Sequence, residues 1–227
     1  MSIPLAAGLP LPHATLAPTG PPRGAVVLLH GFGADEQDML GLALRLPRDL
    51  LCVALQAPLA LPWAGRAWYP LDLAAAAPAA LPTEAAARAC RLALGAIIAS
   101  VEAVPGRFGV APGRTVLVGF SQGAAMAAAA LLAPGAPQIA GYALLSGYLV
   151  DPSAPAPPAK RRTSVFIAHG TEDGLLPVDL GRSLREQVEA LGIPVTYREY
   201  PMGHVICAAE LADIAAWLHR VLGEGTT

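Results

Sequence analysis

The sequence predicts an α/β fold: a mostly parallel central sheet with helices on both faces, in one domain spanning residues 1–227. Three observations predict it. Short runs that are apolar at every position recur along the chain, as strands buried on both faces require. Longer stretches with helical spacing of apolar residues lie between them, so strands and helices alternate. One strand also passes through a sharp turn, Gly119-Phe-Ser-Gln-Gly123, straight into an alanine-rich run of strong helix formers.

The elements follow in order. Pro4 to Arg23 is proline-rich, with one short edge strand around Ala14–Leu16. Ala25–Leu29 is the first central strand and runs into His30-Gly-Phe-Gly-Ala-Asp35. A helix is expected from Asp35 to Leu46, because Asp35, Glu36 and Asp38 put carboxylates at its positive end. Leu50–Leu55 is the next strand. Gln56–Pro82 reads as a long irregular segment holding Trp63, Trp68 and Tyr69, of the kind that serves function or packs on itself. Thr83 to Val104 is a long helix, Thr115–Val118 a strand, Ala124–Leu132 a helix and Ile139–Leu145 a strand. Asp151–Ala159 reads as a proline-rich surface connector. Ser164–Ala168 is a strand, Val178–Ala190 a helix, Val195–Tyr200 a strand, and Val205–Leu222 a closing helix with Ile206, Leu211, Ile214, Leu218 and Val221 at helical spacing.

Composition narrows the function classes. A hydrophobic content of 54% with 14% charged residues belongs to a compact chain with a large core. The net charge of −2 gives no electrostatic basis for binding nucleic acid or an anionic membrane surface. No apolar run is read as a membrane span, and the N-terminus lacks the basic start of a secretory signal. The three cysteines, Cys52, Cys90 and Cys207, are odd in number and scattered, which suggests buried free thiols in the cytoplasm rather than disulfides or a metal site. No cofactor is called for.

Gly119-x-Ser121-x-Gly123 between a strand and a helix is the setting in which a serine is lifted above a sheet as a nucleophile. With 23 glycines in 227 residues, chance supplies roughly 0.07 matches, before the strand-turn-helix context is counted. A serine hydroxyl needs a base, and the base an orienting acid. Asp173, in His169-Gly-Thr-Glu-Asp-Gly174, and His204, in Met202-Gly-His-Val205, follow strands and so fall on the same rim as Ser121. Glu172 is the rival acid, disfavoured because the Asp-Gly turn presents Asp173. His13, His30, His169 and His219 are rival bases. His13 precedes the sheet, His219 lies near a helix end, and His30 and His169 are placed to bond loop backbone. An oxyanion needs two N–H donors. Gln122 supplies one from the start of its helix, and Phe32 is the candidate for the other, with ordinary aromatic packing as the alternative.

Leu29–Asp35, Gly119–Met126, His169–Pro177 and Gly203-His204 together resemble the phospholipase/carboxylesterase family that includes the acyl-protein thioesterases, from about Ala25 to Leu222. The resemblance implies an α/β-hydrolase fold without a cap domain. It also implies hydrolysis of carboxylic esters or thioesters through an acyl-enzyme on Ser121, with Asp173 and His204 completing the triad and Phe32 and Gln122 the oxyanion hole. Where the family often carries Trp-Phe-Asp, this chain reads Trp68-Tyr-Pro-Leu-Asp72. Trp68, Leu175 and Leu176 are expected to line the acyl pocket, with core packing as the alternative. The expected partner is a small acyl ester or thioester, and a homodimer is compatible with the sequence. Competing readings are a dienelactone-type hydrolase or peptidase on this scaffold, and a non-catalytic binding module.

Overall fold

The computed structural model describes residues 3–71, 83–150 and 163–223. Strands and helices alternate through β1 (His13–Leu16), β2 (Gly24–Leu29), α1 (Glu36–Ala43), β3 (Leu50–Leu55), β4 (Leu59–Ala60), β5 (Arg66–Ala67), α2 (Glu84–Phe108) and β6 (Thr115–Phe120). The chain continues through α3 (Gln122–Leu132), β7 (Gly141–Leu145), β8 (Ser164–Gly170), α4 (Val178–Ala190), β9 (Val195–Tyr200) and α5 (Ala208–Leu222). Seven strands form one sheet in the order β1-β3-β2-β6-β7-β8-β9. Only β1 is antiparallel to its neighbour, with His13 opposite Leu55. His13 is therefore a fully buried member of the sheet and does not precede it.

Alternation along each strand divides the core into two layers, as a period of two demands. Val27, Leu29, Val53, Leu117, Leu144 and Ile167 face α2, α3 and α4. Val26, Leu28, Cys52, Val118, Leu145 and Phe166 face α1 and α5, where Ile214, Trp217 and Leu218 close the layer. Every residue of β2, β3 and β7 is buried, which is why those runs carry no polar position.

Boundaries differ from expectation for local reasons. Asp35 caps α1 through a reciprocal capping box with Asp38, and the helix stops at Ala43, short of Leu46. Thr83 caps α2, which continues past Val104 through Pro105 to a left-handed Gly109. Among the described residues α2 alone is long and apolar enough to cross a membrane, contrary to the sequence expectation. Here one face of it, from Cys90 to Val104, packs on the sheet. Helix α5 begins at Ala208 with Cys207 as its cap, so Val205–Cys207 belongs to the loop carrying His204. Cys52 and Cys90 are buried free thiols as expected, whereas Cys207 is half-buried. Within Gln56–Pro82, β4 and β5 form a small hairpin, and residues 72–82 lie outside the described residues, as does the connector Asp151–Ala159.

Candidate active site

The parallel strands deliver their loops to one rim, and β6 stands beside β2 and β7 near the middle of it. Strand β6 reverses into α3 at Ser121, whose φ of 55° and ψ of −119° lie where few side-chain-bearing residues sit. The flanking glycines are sterically required. A Cβ on Gly119 would strike the Gly123 carbonyl, and one on Gly123 would strike the backbone of Leu29 and His30. The turn is held by Ser121 N–H donating to the Leu145 carbonyl at 2.9 Å.

His204 Nε2 lies 2.9 Å from Ser121 Oγ, and His204 Nδ1 lies 2.7 Å from Asp173 Oδ2. A carboxylate only accepts, so Nδ1 carries the hydrogen and Nε2 is left to accept from the serine hydroxyl. Asp173 Oδ1 accepts from the N–H groups of Leu175 at 3.0 Å and Leu176 at 2.8 Å. Burial would push the Asp173 carboxyl up, but the Leu176 N–H and the His204 bond outweigh it and hold it below the ordinary carboxylate range. Glu172, the rival acid, points to solvent. The loops bearing the two residues are stitched together, Thr171 N–H to the Tyr200 carbonyl at 2.8 Å and Glu172 N–H to the Met202 carbonyl at 3.1 Å.

On the other side of Ser121, the loop after β2 is fixed by His30. The Ala57 N–H donates to His30 Nε2 at 3.2 Å, so Nδ1 carries the hydrogen and donates to the Gly31 carbonyl at 2.8 Å. That carbonyl and the Phe32 N–H belong to one planar trans peptide and point in opposite directions. Pinning the carbonyl therefore aims the N–H away from His30. Burial lowers the His30 pKa, keeping the ring neutral and Nε2 an acceptor. Hairpin β4–β5 braces the same loop, with Gly33 N–H bonding the Arg66 carbonyl and Arg66 N–H the Ala34 carbonyl, both at 2.9 Å. Gly65 packs so closely on Gly33 that no side chain fits there.

Among the described residues, neither the Phe32 nor the Gln122 N–H donates to another backbone group. The Gln122 side chain is engaged elsewhere. Its Oε1 accepts from Trp68 N–H at 2.9 Å and its Nε2 donates to the Tyr69 carbonyl at 2.8 Å. What remains for a ligand is the Gln122 backbone N–H at the first turn of α3.

Ser121 opens on a cavity of about 170 Å³ with Phe32, Leu71, Phe120, Tyr148, Leu176 and His204 in its walls. Leu175 is also in the lining but 59% exposed, at the rim, while Leu176 is buried. Trp68 does not line this cavity. Its indole is wholly buried, stacks near His30 and donates to the His30 carbonyl at 2.8 Å, so the alternative of core packing describes it. Phe120, Tyr148 and Leu71 line the cavity without having been singled out from the sequence. Phe120 ends β6 and Tyr148 follows the end of β7 on the same rim, a positional signal that could have found them. A larger cavity of about 290 Å³ lies at the far edge of the sheet between Leu16, Ala43 and Cys52, away from Ser121 and His204.

The phospholipase/carboxylesterase family model matches residues 12–222. The acyl-protein thioesterase 1 of Gibberella zeae is 37% identical over 120 residues, 50% of this chain and 51% of that protein. The chain thus spans about half the length of the curated relatives it matches. Two crystal structures align along nearly the whole chain. Esterase PE8 has a TM-score of 0.78 at 28% identity, covering 91% of this chain and 97% of that one. A carboxylesterase from Mesorhizobium loti has a TM-score of 0.80 at 24% identity, covering 95% and 97%. The architecture is that of the α/β hydrolases, and the chain belongs to the phospholipase/carboxylesterase family.

Proposed function

We propose that this chain is a serine carboxylesterase of the cytoplasm that hydrolyses short- to medium-chain carboxylic esters or thioesters. The observation carrying this reading is the continuous hydrogen-bonded path Ser121 Oγ, His204 Nε2, His204 Nδ1, Asp173 Oδ2, at 2.9 and 2.7 Å.

The chemistry follows from that path. Ser121 Oγ attacks the ester carbonyl carbon as His204 Nε2 takes its proton, and the carbonyl π pair moves onto oxygen. The N–H groups of Phe32 and Gln122 receive that oxyanion. Asp173 holds the imidazole in the required tautomer and stabilises the imidazolium. When the oxyanion collapses, the C–O or C–S bond to the leaving group breaks and His204 returns the proton to it. Water then enters by the reverse sequence, His204 removing its proton, and the acid leaves with Ser121 regenerated. The acyl chain occupies the apolar cavity beside Ser121.

A fluorophosphonate probe is expected to label Ser121 in the wild-type protein and to leave Ser121→Ala unlabelled. Hydrolysis of p-nitrophenyl butyrate should fall by on the order of 10⁴ or more in the variant, with an unchanged melt. A wild type that the probe does not label, or a Ser121→Ala variant that retains its turnover, sinks the reading.

A further inference from the structure

The cavity beside Ser121 holds one feature that ester cleavage does not use. Tyr69 and Tyr148 are buried to within 1% and 2% of full burial, and their hydroxyl oxygens stand 2.7 Å apart. Burial pushes the Tyr148 hydroxyl up to about 12 and the Tyr69 hydroxyl well above the ordinary phenol range, so both are neutral at any working pH. Two neutral phenols bring two hydrogens, and the bond between them uses one. Among the described residues neither hydroxyl has another partner.

Among the described residues the second hydrogen therefore has no acceptor. Around Tyr148 pack the side chains of Ala125 and Leu176, which offer none. A donor left unpaired in such surroundings is costly, and the free volume next to it is the cavity that Tyr148 and Ser121 share. The placement is built in. Gly147 lies so close to Ala124 that a Cβ would come within 2.7 Å of the alanine methyl, which brings Tyr148 against α3 one turn beyond Ser121. Tyr69 is fixed in turn by the Gln122 side chain through its carbonyl.

Direction follows from the base. A leaving group must depart against His204, which leaves the acyl chain the part of the cavity walled by Tyr148. The cavity of about 170 Å³ has room for roughly five or six water-sized groups, so an oxygen on a short acyl chain lies within reach of Tyr148 in its wall.

We propose that the Tyr69–Tyr148 pair is a polar subsite that selects acyl chains bearing a hydrogen-bond-accepting oxygen, a ketone or ether a few atoms from the scissile carbonyl, over unbroken alkyl chains. This rests on the serine-esterase reading of Ser121. In the complex Tyr69 donates to Tyr148 and Tyr148 donates to the acyl oxygen.

The test compares p-nitrophenyl hexanoate with its 5-oxo analogue and with an analogue carrying an ether oxygen in place of the fourth chain carbon. The wild type should favour the oxygenated esters in kcat/KM, each corrected for its rate in buffer. Tyr148→Phe should lower the ratio of oxygenated to plain ester by about tenfold, and Tyr69→Phe by about threefold because Tyr148 keeps its own donor. A purely structural hydrogen bond would lower the melting temperature of both variants and leave the ratio where it was. That result overturns the subsite, and so does a wild type that prefers plain hexanoate, whether or not the variants fold. A parallel pair of butyl and methoxyethyl esters of one acid tests direction: a response there instead of in the acyl series overturns the acyl assignment. Failure of the wild type to turn over any of these esters, with Ser121 unlabelled by the phosphonate, is the separate failure of the esterase reading and takes the subsite with it.

Discussion

Strand β2 runs into His30-Gly31 and strand β8 ends in His169-Gly170, on opposite sides of the strand that leads to Ser121. Both histidines are wholly buried, and burial lowers the pKa of each. Both donate to a backbone carbonyl at 2.8 Å. They differ in what that bond positions. His30 reaches only to the next residue, and the product is the direction of a backbone N–H, that of Phe32. His169 reaches across its loop to the Leu176 carbonyl, closing a turn in which the Leu175 and Leu176 N–H groups point at Asp173 Oδ1. There the product is a side-chain carboxylate. The same dipeptide supports a main-chain donor at one strand end and a side-chain acid at the other, and the two ends should differ in their tolerance of substitution.

The largest effect is expected at the β8 end. Asp173→Asn leaves the imidazole free to face Ser121 in the wrong tautomer, and kcat for a p-nitrophenyl ester should drop by about 10⁴. Glu172→Gln should stay within a few-fold of wild type, because that side chain points to solvent. A crippled Glu172→Gln beside a healthy Asp173→Asn would break the comparison at its acid.

At the β2 end side chains should matter little and the main chain much. Replacing the Phe32 amide N–H by an ester oxygen should cost on the order of 10² in kcat. Phe32→Ala and Gln122→Ala, which keep their N–H groups, should each cost less than about tenfold, with KM moving more for Phe32→Ala because its ring lines the cavity. A Gln122→Ala variant that loses 10³ with its fold intact would make the side chain part of the chemistry.

The smallest effect is one of stability, and it should be alike at both ends. A histidine held neutral by burial takes up its proton at lower pH in the folded chain than in the unfolded one, where the value is about 6.5. The unfolded state then binds the extra proton between those two values. Stability due to each ring is complete above about pH 6.5 and is lost as pH falls from there toward the lowered folded value. Glu210 tilts the other way: burial raises its carboxyl to about 8, so its cost to the fold grows as pH rises from the ordinary carboxylate range toward 8. His30→Asn and His169→Gln each keep a donor for the carbonyl but cannot titrate. Between pH 7 and pH 5 each should lose less melting temperature than wild type, by on the order of a few degrees. Equal pH slopes in all three proteins would mean that the rings are not held neutral.

Legibility in the sequence followed the kind of force at work. Strands buried on both faces admit no polar residue, so β2 and β3 appear within a residue of where the apolar pattern puts them. Helix ends depend on caps and on what the next loop must reach. The loop presenting His204 therefore takes Val205–Cys207 from the start of α5, a demand that periodicity does not register. The two-residue strands β4 and β5 leave no pattern at all, yet they brace the Phe32 loop. At the site, residues defined by chemical type and chain order, Ser121, Asp173 and His204, could be nominated from the sequence and fall within hydrogen-bonding distance of one another. Cavity walls are set by packing. Tryptophan at 68 could be read as pocket lining or as core, and it is a buried prop beside His30, while Tyr148 carries no motif and lines the cavity.

The left-handed backbone at Ser121 sets stability against activity. A side-chain-bearing residue at that φ and ψ raises the energy of the native state by on the order of 1–3 kcal/mol, and a glycine there would be relieved of most of it. The inactive Ser121→Gly chain should then be the more durable molecule, outlasting both Ser121→Ala and the active protein on heating. For a lineage selected on persistence alone, the downhill step leads away from the proposed nucleophile, so on that reading only continued demand for its chemistry keeps a serine at this turn.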